Sequence, residues 1–363
     1  MTEPLVLSNH GLRHSGGIER YLLTLVDALH AQGIRPTVVA RQFDRTLPEY
    51  AWVDAVRINT WGLGGALRDR WYDWRLRQLK QQRGWYPVIG LNQSQASDIA
   101  ICGGTHPGYL AAIGKQAGWK DRLSIALERR HLEGAAVVIA HSQLMADQVT
   151  HYYGVAADRV QVLYPPVDHQ RFHPVSTAQR RALRDKLGLP HDRAVFLLAS
   201  TGHARKGLDL LVKALGHSAL PVLLVVVGRP VDMQAPNLRY LGYRSDIEDV
   251  YRAVDCTVMA SRYEPFGLVG VESVLCGTPL IGAVGMGCME VLRDDAALPF
   301  KIDNAGANDS LDAVIAQALA RWREGQLTVP NPLQSLRYDP SVDAHLAALL
   351  GWVARLRERL RAQ

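Results

Sequence analysis

Residues 261–290, SRYEPFGLVGVESVLCGTPLIGAVGMGCME, hold two glutamates, Glu264 and Glu272, separated by seven residues. Pro265, Phe266 and Gly267 open a turn, and apolar residues then recur at Leu268, Val271, Val274 and Leu275 with a helical period. The first acid is therefore expected on a loop and the second inside a helix. Because the turn precedes the helix, the two carboxylates need not share a helical face and can reach opposite ends of one extended ligand. Gly277-Thr278-Pro279 stops the helix, and Leu280-Ile281 reads as a short buried strand. Gly285-Met286-Gly287 reads as a loop before a helix beginning near Met289. A helix start after a glycine loop suits an anion, and carboxylates suit the paired hydroxyls of a sugar. The plainer alternative is that Glu264 caps the helix and Glu272 is solvated.

Working outward, 363 residues with 48% hydrophobic and 21% charged content fit an ordinary two-lobed globular chain. The longest apolar run, Leu220 to Gly228, is too short to cross a bilayer and contains Pro221. MTEPLVLSNHG has neither a basic region nor a long apolar stretch, so the expected location is the cytosol. Cys102, Cys256, Cys276 and Cys288 lack C-x-x-C spacing, which points to reduced thiols rather than a zinc site or a disulfide framework. A formal charge of +6 favours acidic partners such as nucleotide phosphates or anionic lipid.

The opening alternates strand, glycine loop, helix and strand: Leu5 to Leu7, Gly16-Gly17, a helix through Ile18, Leu22, Leu25 and Leu29, then Thr37 to Ala40. That is the grammar of a doubly wound parallel sheet. A glycine pair at the first turn is either a tight connection or a backbone left open to a ligand. Between Trp61 and Tyr86, six bases (Arg68, Arg70, Arg75, Arg77, Lys80 and Arg83) stand against Asp69 and Asp73, with Leu67, Trp71 and Trp74 at helical spacing. This helix either lies on an anionic membrane or packs its aromatic stripe on its own domain. Strand Ser97 to Cys102 delivers Gly103-Gly104-Thr105-His106-Pro107 at its carboxyl end, where open α/β sheets bind ligands. Asp98, at the strand's entry, is a turn residue or an acceptor contact. The proline-bearing stretch from Tyr164 to Pro174 is the expected boundary between lobes. In the second lobe, strand Val195 to Leu198 leads through Gly202 to Arg205-Lys206-Gly207 and a helix, placing two bases at a helix start suited to a diphosphate.

Taken together, these motifs resemble family 4 glycosyltransferases: E-x7-E at Glu264 and Glu272, Gly-Gly-Ile-Glu-Arg from Gly16, Arg-Lys-Gly from Arg205, and Gly-Gly-Thr-His ending at His106. The likeness covers most of the chain and is strongest to bacterial lipopolysaccharide-core glucosyltransferases. It implies the α/β GT-B architecture of two facing Rossmann-like domains with a deep cleft between them. The implied domains are an acceptor domain at 1–168, a donor domain at 169–340, and a last helix, 341–363, packing back on the first. It further implies catalytic roles for His106, Arg205, Lys206 and Glu264, and donor contacts from Gly16, Gly17, Gly202, Phe266, Gly267, Leu268 and Glu272. The expected reaction is retaining, metal-independent transfer of a hexose from a nucleotide sugar, UDP-glucose by preference, to a saccharide or lipid-linked glycan such as lipopolysaccharide core. No Asp-x-Asp stands in the loops to hold a divalent ion, and no cofactor beyond the donor is expected.

Three other classes share parts of this pattern. Gly285-x-Gly287-x-x-Glu290, followed by a strand and Asp303, lacks the third glycine of a dinucleotide fingerprint. The arginines concentrate on one aromatic helix rather than on a groove-reading module, so a nucleic acid partner is not expected, although a basic binding protein stays open. A GT-B sugar-nucleotide epimerase would share both lobes.

Overall fold

The computed structural model describes residues 3–216, 220–302 and 309–362; Asp303 lies outside them. The chain forms two compact units, residues 1–166 with 341–363, and residues 167–340.

The first unit is built on seven parallel strands in the order Asp54–Arg57, Thr37–Ala40, Val6–Ser8, Val88–Gly90, Ile99–Cys102, Val137–Ala140, Val160–Val162. The second is built on six, in the order Leu238–Tyr240, Val222–Gly228, Ala194–Ser200, Cys256–Met259, Leu280–Ala283, Ala297–Phe300, again all parallel. In each unit the chain starts in mid-sheet, winds out to one edge and then crosses to the other side of its first strand. The crossing leaves a crevice at the carboxyl ends of two neighbouring strands, where open α/β sheets bind ligands. In the second unit those strands are Ala194–Ser200 and Cys256–Met259, and their loops carry Arg205, Lys206 and Glu264.

Strands buried on both faces read as continuous apolar runs, and Val222–Gly228 is buried at every position but its last. In the first unit, the helix Gly17–Ala31 packs Leu22, Leu25 and Leu29 on the sheet with Leu346, Leu349, Val353 and Leu356 of the last helix, Val342–Arg361. Ser341 caps that last helix through Ala344 N, at 3.3 Å. His345 ties it to Tyr21, whose hydroxyl lies 2.6 Å from its Nε2, and to the Tyr164 carbonyl, 2.9 Å from its Nδ1.

The helix Gly65–Arg83 departs from the expectation of an aromatic stripe packed on its own domain. Tyr72, Leu76 and Leu79 form its inner face, against Val6, Val39, Ile58 and Val88. Leu67, Trp71 and Trp74 face outward, with 68%, 42% and 42% of their surface exposed. Periodicity shows that a stripe exists; which of two offset stripes meets the sheet is decided by packing.

The helix expected near Met289 is instead a single 3-10 turn, Gly287–Glu290. The chain there is drawn off by an antiparallel bridge from Leu292 to Leu336.

Candidate active site

The loop after Ala194–Ser200 turns into the helix Leu208–Leu215 at Gly207, whose φ is +70°. A Cβ there would stand 2.1 Å from the Ala260 carbonyl oxygen, so only glycine lets this loop lie across the end of the neighbouring strand. The two loops are then laced together. Arg262 N donates to the Arg205 carbonyl at 2.9 Å. Its guanidinium meets Ala204 O and both carboxylate oxygens of Asp209, at 2.7 to 2.9 Å.

This lacing brings the first glutamate to the paired bases. Arg205 Nη1 donates to the Tyr263 carbonyl at 2.6 Å and to Glu264 Oε2 at 3.0 Å. Lys206 Nζ lies 3.4 Å from the same Oε2. Lys206 is 8% exposed while the Arg205 side chain is 31% exposed, so one carboxylate oxygen is shared by a buried and a half-buried cation.

Gly267, with φ +98°, folds the chain back over this group; a Cβ there would sit 3.0 Å from Glu264 Cγ and 3.3 Å from Cys288 Sγ. The glycine loop beyond closes the turn, Gly287 N donating to Glu264 O at 3.1 Å and Cys288 N to Phe266 O at 2.6 Å. Thus the two ends of the 261–290 stretch hold each other. The Phe266 ring is buried edge-on to Tyr338, centroids 6.3 Å apart, so its side chain serves packing. The main chain enters the helix Leu268–Leu275 here, with Gly270 N donating to Gly267 O at 2.9 Å. A Cβ on Gly202 would meet nothing within 4 Å, and its carbonyl accepts from Lys206 N at 3.0 Å.

Glu272 is not solvated. It is 5% exposed, and its Oε2 accepts from the Tyr251 hydroxyl at 3.0 Å. Tyr251 and the Asp209–Arg262 brace are parts of this site that the sequence reading missed, being contacts between distant elements without a local motif.

In the first unit, Gly16 caps the helix Gly17–Ala31, its N–H donating 3.2 Å to Glu19 Oε2; added Cβ atoms at Gly16 and Gly17 would meet only that oxygen or open space. His106 begins the helix His106–Ala112, its amide donating to Glu128 Oε2 at 2.8 Å. Its ring Nε2 lies 2.9 Å from Asp121 Oδ1. That contact, ahead of the Gly118 amide, holds the Asp121 carboxyl down to about 2. Glu128, pushed up by burial, also accepts from the Tyr153 hydroxyl and from Gln93. Any reach of His106 toward a sugar is therefore steered by two acids 15 and 22 residues along the chain, which no local motif marks.

Asp98 requires a correction. It stands at the amino end of the strand Ile99–Cys102, the wrong edge for a ligand, and both its oxygens are engaged. Oδ1 accepts from Lys80 Nζ at 2.6 Å and Oδ2 from Val88 N at 2.8 Å, so Asp98 fastens the basic helix to the sheet.

Burial pushes the thiols of Cys102 and Cys276 up to about 12 and raises those of Cys256 and Cys288 as well, which suits none of them to act as a nucleophile. Among the described residues, no group of three or more His, Cys, Asp or Glu could hold a metal ion, and no helix is long and apolar enough to cross a membrane.

Comparison with known proteins bears on the family and the fold. Residues 15–171 match the family described as Glycosyltransferase Family 4, and residues 179–324 that described as Glycosyl transferases group 1. A probable transglycosylase of Burkholderia thailandensis is 45% identical over 352 residues, 96% of each chain. Among solved structures, WaaG, a glycosyltransferase involved in lipopolysaccharide biosynthesis, has a TM-score of 0.76 at 17% identity, over 89% of this chain and 93% of its own. HepE of Anabaena, solved with UDP and glucose, has a TM-score of 0.73 at 19% identity, over 96% and 99%. The chain therefore belongs to the family 4 glycosyltransferases, enzymes of the GT-B fold with two Rossmann-like domains.

Proposed function

We propose that this transferase moves a hexose from a nucleotide sugar, UDP-glucose being the first donor to try, to a saccharide or lipid-linked acceptor of the lipopolysaccharide-core kind. We further propose that it does so with retention and without a metal ion. The observation that carries the reading is the single Glu264 oxygen held between Arg205 and Lys206 at the switch point of the second sheet. A departing diphosphate brings negative charge to that point, and preorganised cations stabilise it as it develops. Glu264 keeps the two cations in place before the donor arrives and offers an acceptor to sugar hydroxyls once they turn to the phosphates. Glu272, deeper in the same helix and hydrogen-bonded to Tyr251, is suited to a ribose. Support for uridine comes from the Anabaena protein of like fold, solved with UDP. His106, oriented by Asp121, is the first unit's contribution to the sugar.

The outward tryptophans favour a second feature, docking on the cytoplasmic face of a membrane, where lipid-linked acceptors lie. Leu67, Trp71 and Trp74 form the centre of the exposed face, flanked by Arg70 and Arg77 on one side and by Arg68 and Arg75 on the other.

The test is calorimetric titration of UDP, followed by measurement of UDP release from UDP-glucose with and without a lipopolysaccharide-core acceptor. Binding together with acceptor-dependent release is expected. Turnover of the sugar nucleotide that ignores acceptor would point to an epimerase, and no response to any nucleotide to a basic binding protein.

A further inference from the structure

The first unit holds a basin of about 500 Å³ lined by Arg13, His14, Asp44, Arg45, Tyr50 and Arg57 among others. Its walls follow from the fold. Arg13 and His14 come from the loop after Val6–Ser8, Asp44 and Arg45 from the chain after Thr37–Ala40, and Arg57 ends the strand Asp54–Arg57. All therefore lie at the carboxyl edge of the sheet, the edge that binds ligands in this architecture. Gly11–Leu12 and Gln42–Phe43 pair as a short parallel ribbon that fixes the two loops beside each other.

The arginines are positioned but not neutralised. Arg13 lies back over Gly11, where a Cβ would meet its Nε at 3.4 Å. Arg45 stands over the Tyr50 ring, 5.9 Å from its centroid, and Phe43 meets that ring edge-on at 5.9 Å. Arg57 Nε donates to the Arg41 carbonyl at 3.3 Å. Among the described residues none of the three is paired with a carboxylate, in contrast to Arg35, Arg41 and Arg77 of the same unit. Asp44, the acid in the lining, spends Oδ1 on Thr46, whose amide and hydroxyl donate at 3.0 and 2.6 Å. Three guanidiniums around one cavity repel one another until an anion enters, and their planar donor pairs match phosphate and carboxylate oxygens.

We propose that this basin binds an anionic group, phosphate or carboxylate, carried by the saccharide acceptor, so that the enzyme selects charged over neutral acceptors. The word acceptor rests on the transferase reading above; the anion site itself does not. The basin adjoins the outward tryptophan face, since Trp71 Nε1 donates to Asn59 O, two residues beyond Arg57, at 3.0 Å. A membrane headgroup is thus the competing source of the same chemistry.

Titration of glucose 6-phosphate and of glucose into the whole protein, with UDP present at saturation, distinguishes these possibilities. The wild type is expected to bind the phosphate sugar and not glucose. Arg13→Gln, Arg45→Gln and Arg57→Gln should each weaken that binding about tenfold, and a charge-retaining Arg45→Lys less, since Lys gives up the bidentate fork. These side chains are exposed, so the variants should fold. Equal binding of glucose and glucose 6-phosphate, or no change in the three variants, overturns the proposal. Anionic vesicles that lose affinity in the three variants while glucose 6-phosphate fails to bind also overturn it, in favour of a headgroup. Failure of UDP to bind would count against the transferase reading and leave the glucose 6-phosphate result to decide the anion site.

Discussion

The loop after the first strand of each sheet occupies the same place in the same topology, yet the two handle charge in opposite ways. In the second unit Arg205 and Lys206 close on Glu264, and Gly207 and Gly267 press the loops together. In the first, Arg13 projects from an open loop into a basin whose one lining acid, Asp44, is turned to Thr46 rather than paired with an arginine, and Gly16 and Gly17 leave nearly empty space. A buried cation needs its counter-charge built in, because isolating it from water costs several kcal/mol. An exposed one does not, and can wait for a ligand. On the proposed roles, a donor site must exchange an internal partner for its ligand whereas the basin only gains one, so specificity would come from the transition state in the first case and from the ground state in the second.

The largest effect that could break this contrast lies with the paired bases. Arg205→Ala and Lys206→Ala should each lower kcat by about a hundredfold or more, the usual loss on removing a preorganised charge from a developing anion. Steady-state rates within about threefold of wild type in both would show that the closed pair is structural and that the contrast has no catalytic content.

A smaller effect separates the two glutamates. Glu272→Ala should cost about 1.5–3 kcal/mol of UDP affinity, the worth of a charge-assisted hydrogen bond, and should raise KM more than it lowers kcat. Glu264→Gln should not weaken UDP, because it frees Arg205 and Lys206 for the phosphates; its loss should appear in kcat. Calorimetry of UDP with both variants, beside initial rates with the full donor, decides it, and an equal loss of UDP affinity in the two would refute the division of roles.

The smallest expected effect concerns the exposed face of the basic helix. Neutralising Arg70 and Arg75, which have no carboxylate partner among the described residues, should cost about 1 kcal/mol each in affinity for anionic vesicles. Replacing Trp71 and Trp74 by alanine should weaken the same binding with little change in folding stability, as both rings are partly in solvent already. Sedimentation with anionic and neutral vesicles reads both. Undiminished pelleting of the variants would return the stripe to an ordinary surface role.

Some of the molecule was legible without coordinates because it is written in local chemistry. The apolar run from Val222 to Gly228 suited the middle of a buried parallel sheet, and the alternation of such runs with helical periods pointed to wound sheets. Glycine before a helix, bases at its start and the spacing of two glutamates are likewise near-neighbour signals, so the site's parts could be named. What could not be read was which part meets which. That Glu264 turns to Arg205 and Lys206 while Glu272 turns to Tyr251 depends on two loops 59 residues apart and two helices 21 residues apart being brought together by the sheet. Asp98 was already legible at the strand's entry, but its engagement there by Lys80 and the Val88 amide was not. The tryptophan stripe obeyed helical period as well as the Tyr72 stripe did, and only competition for the sheet's limited face sent one inward and the other to solvent. Period, propensity and turn chemistry act within a few residues and are therefore in the sequence. Burial and pairing are choices among partners brought together by the whole chain, and only the tertiary structure makes them.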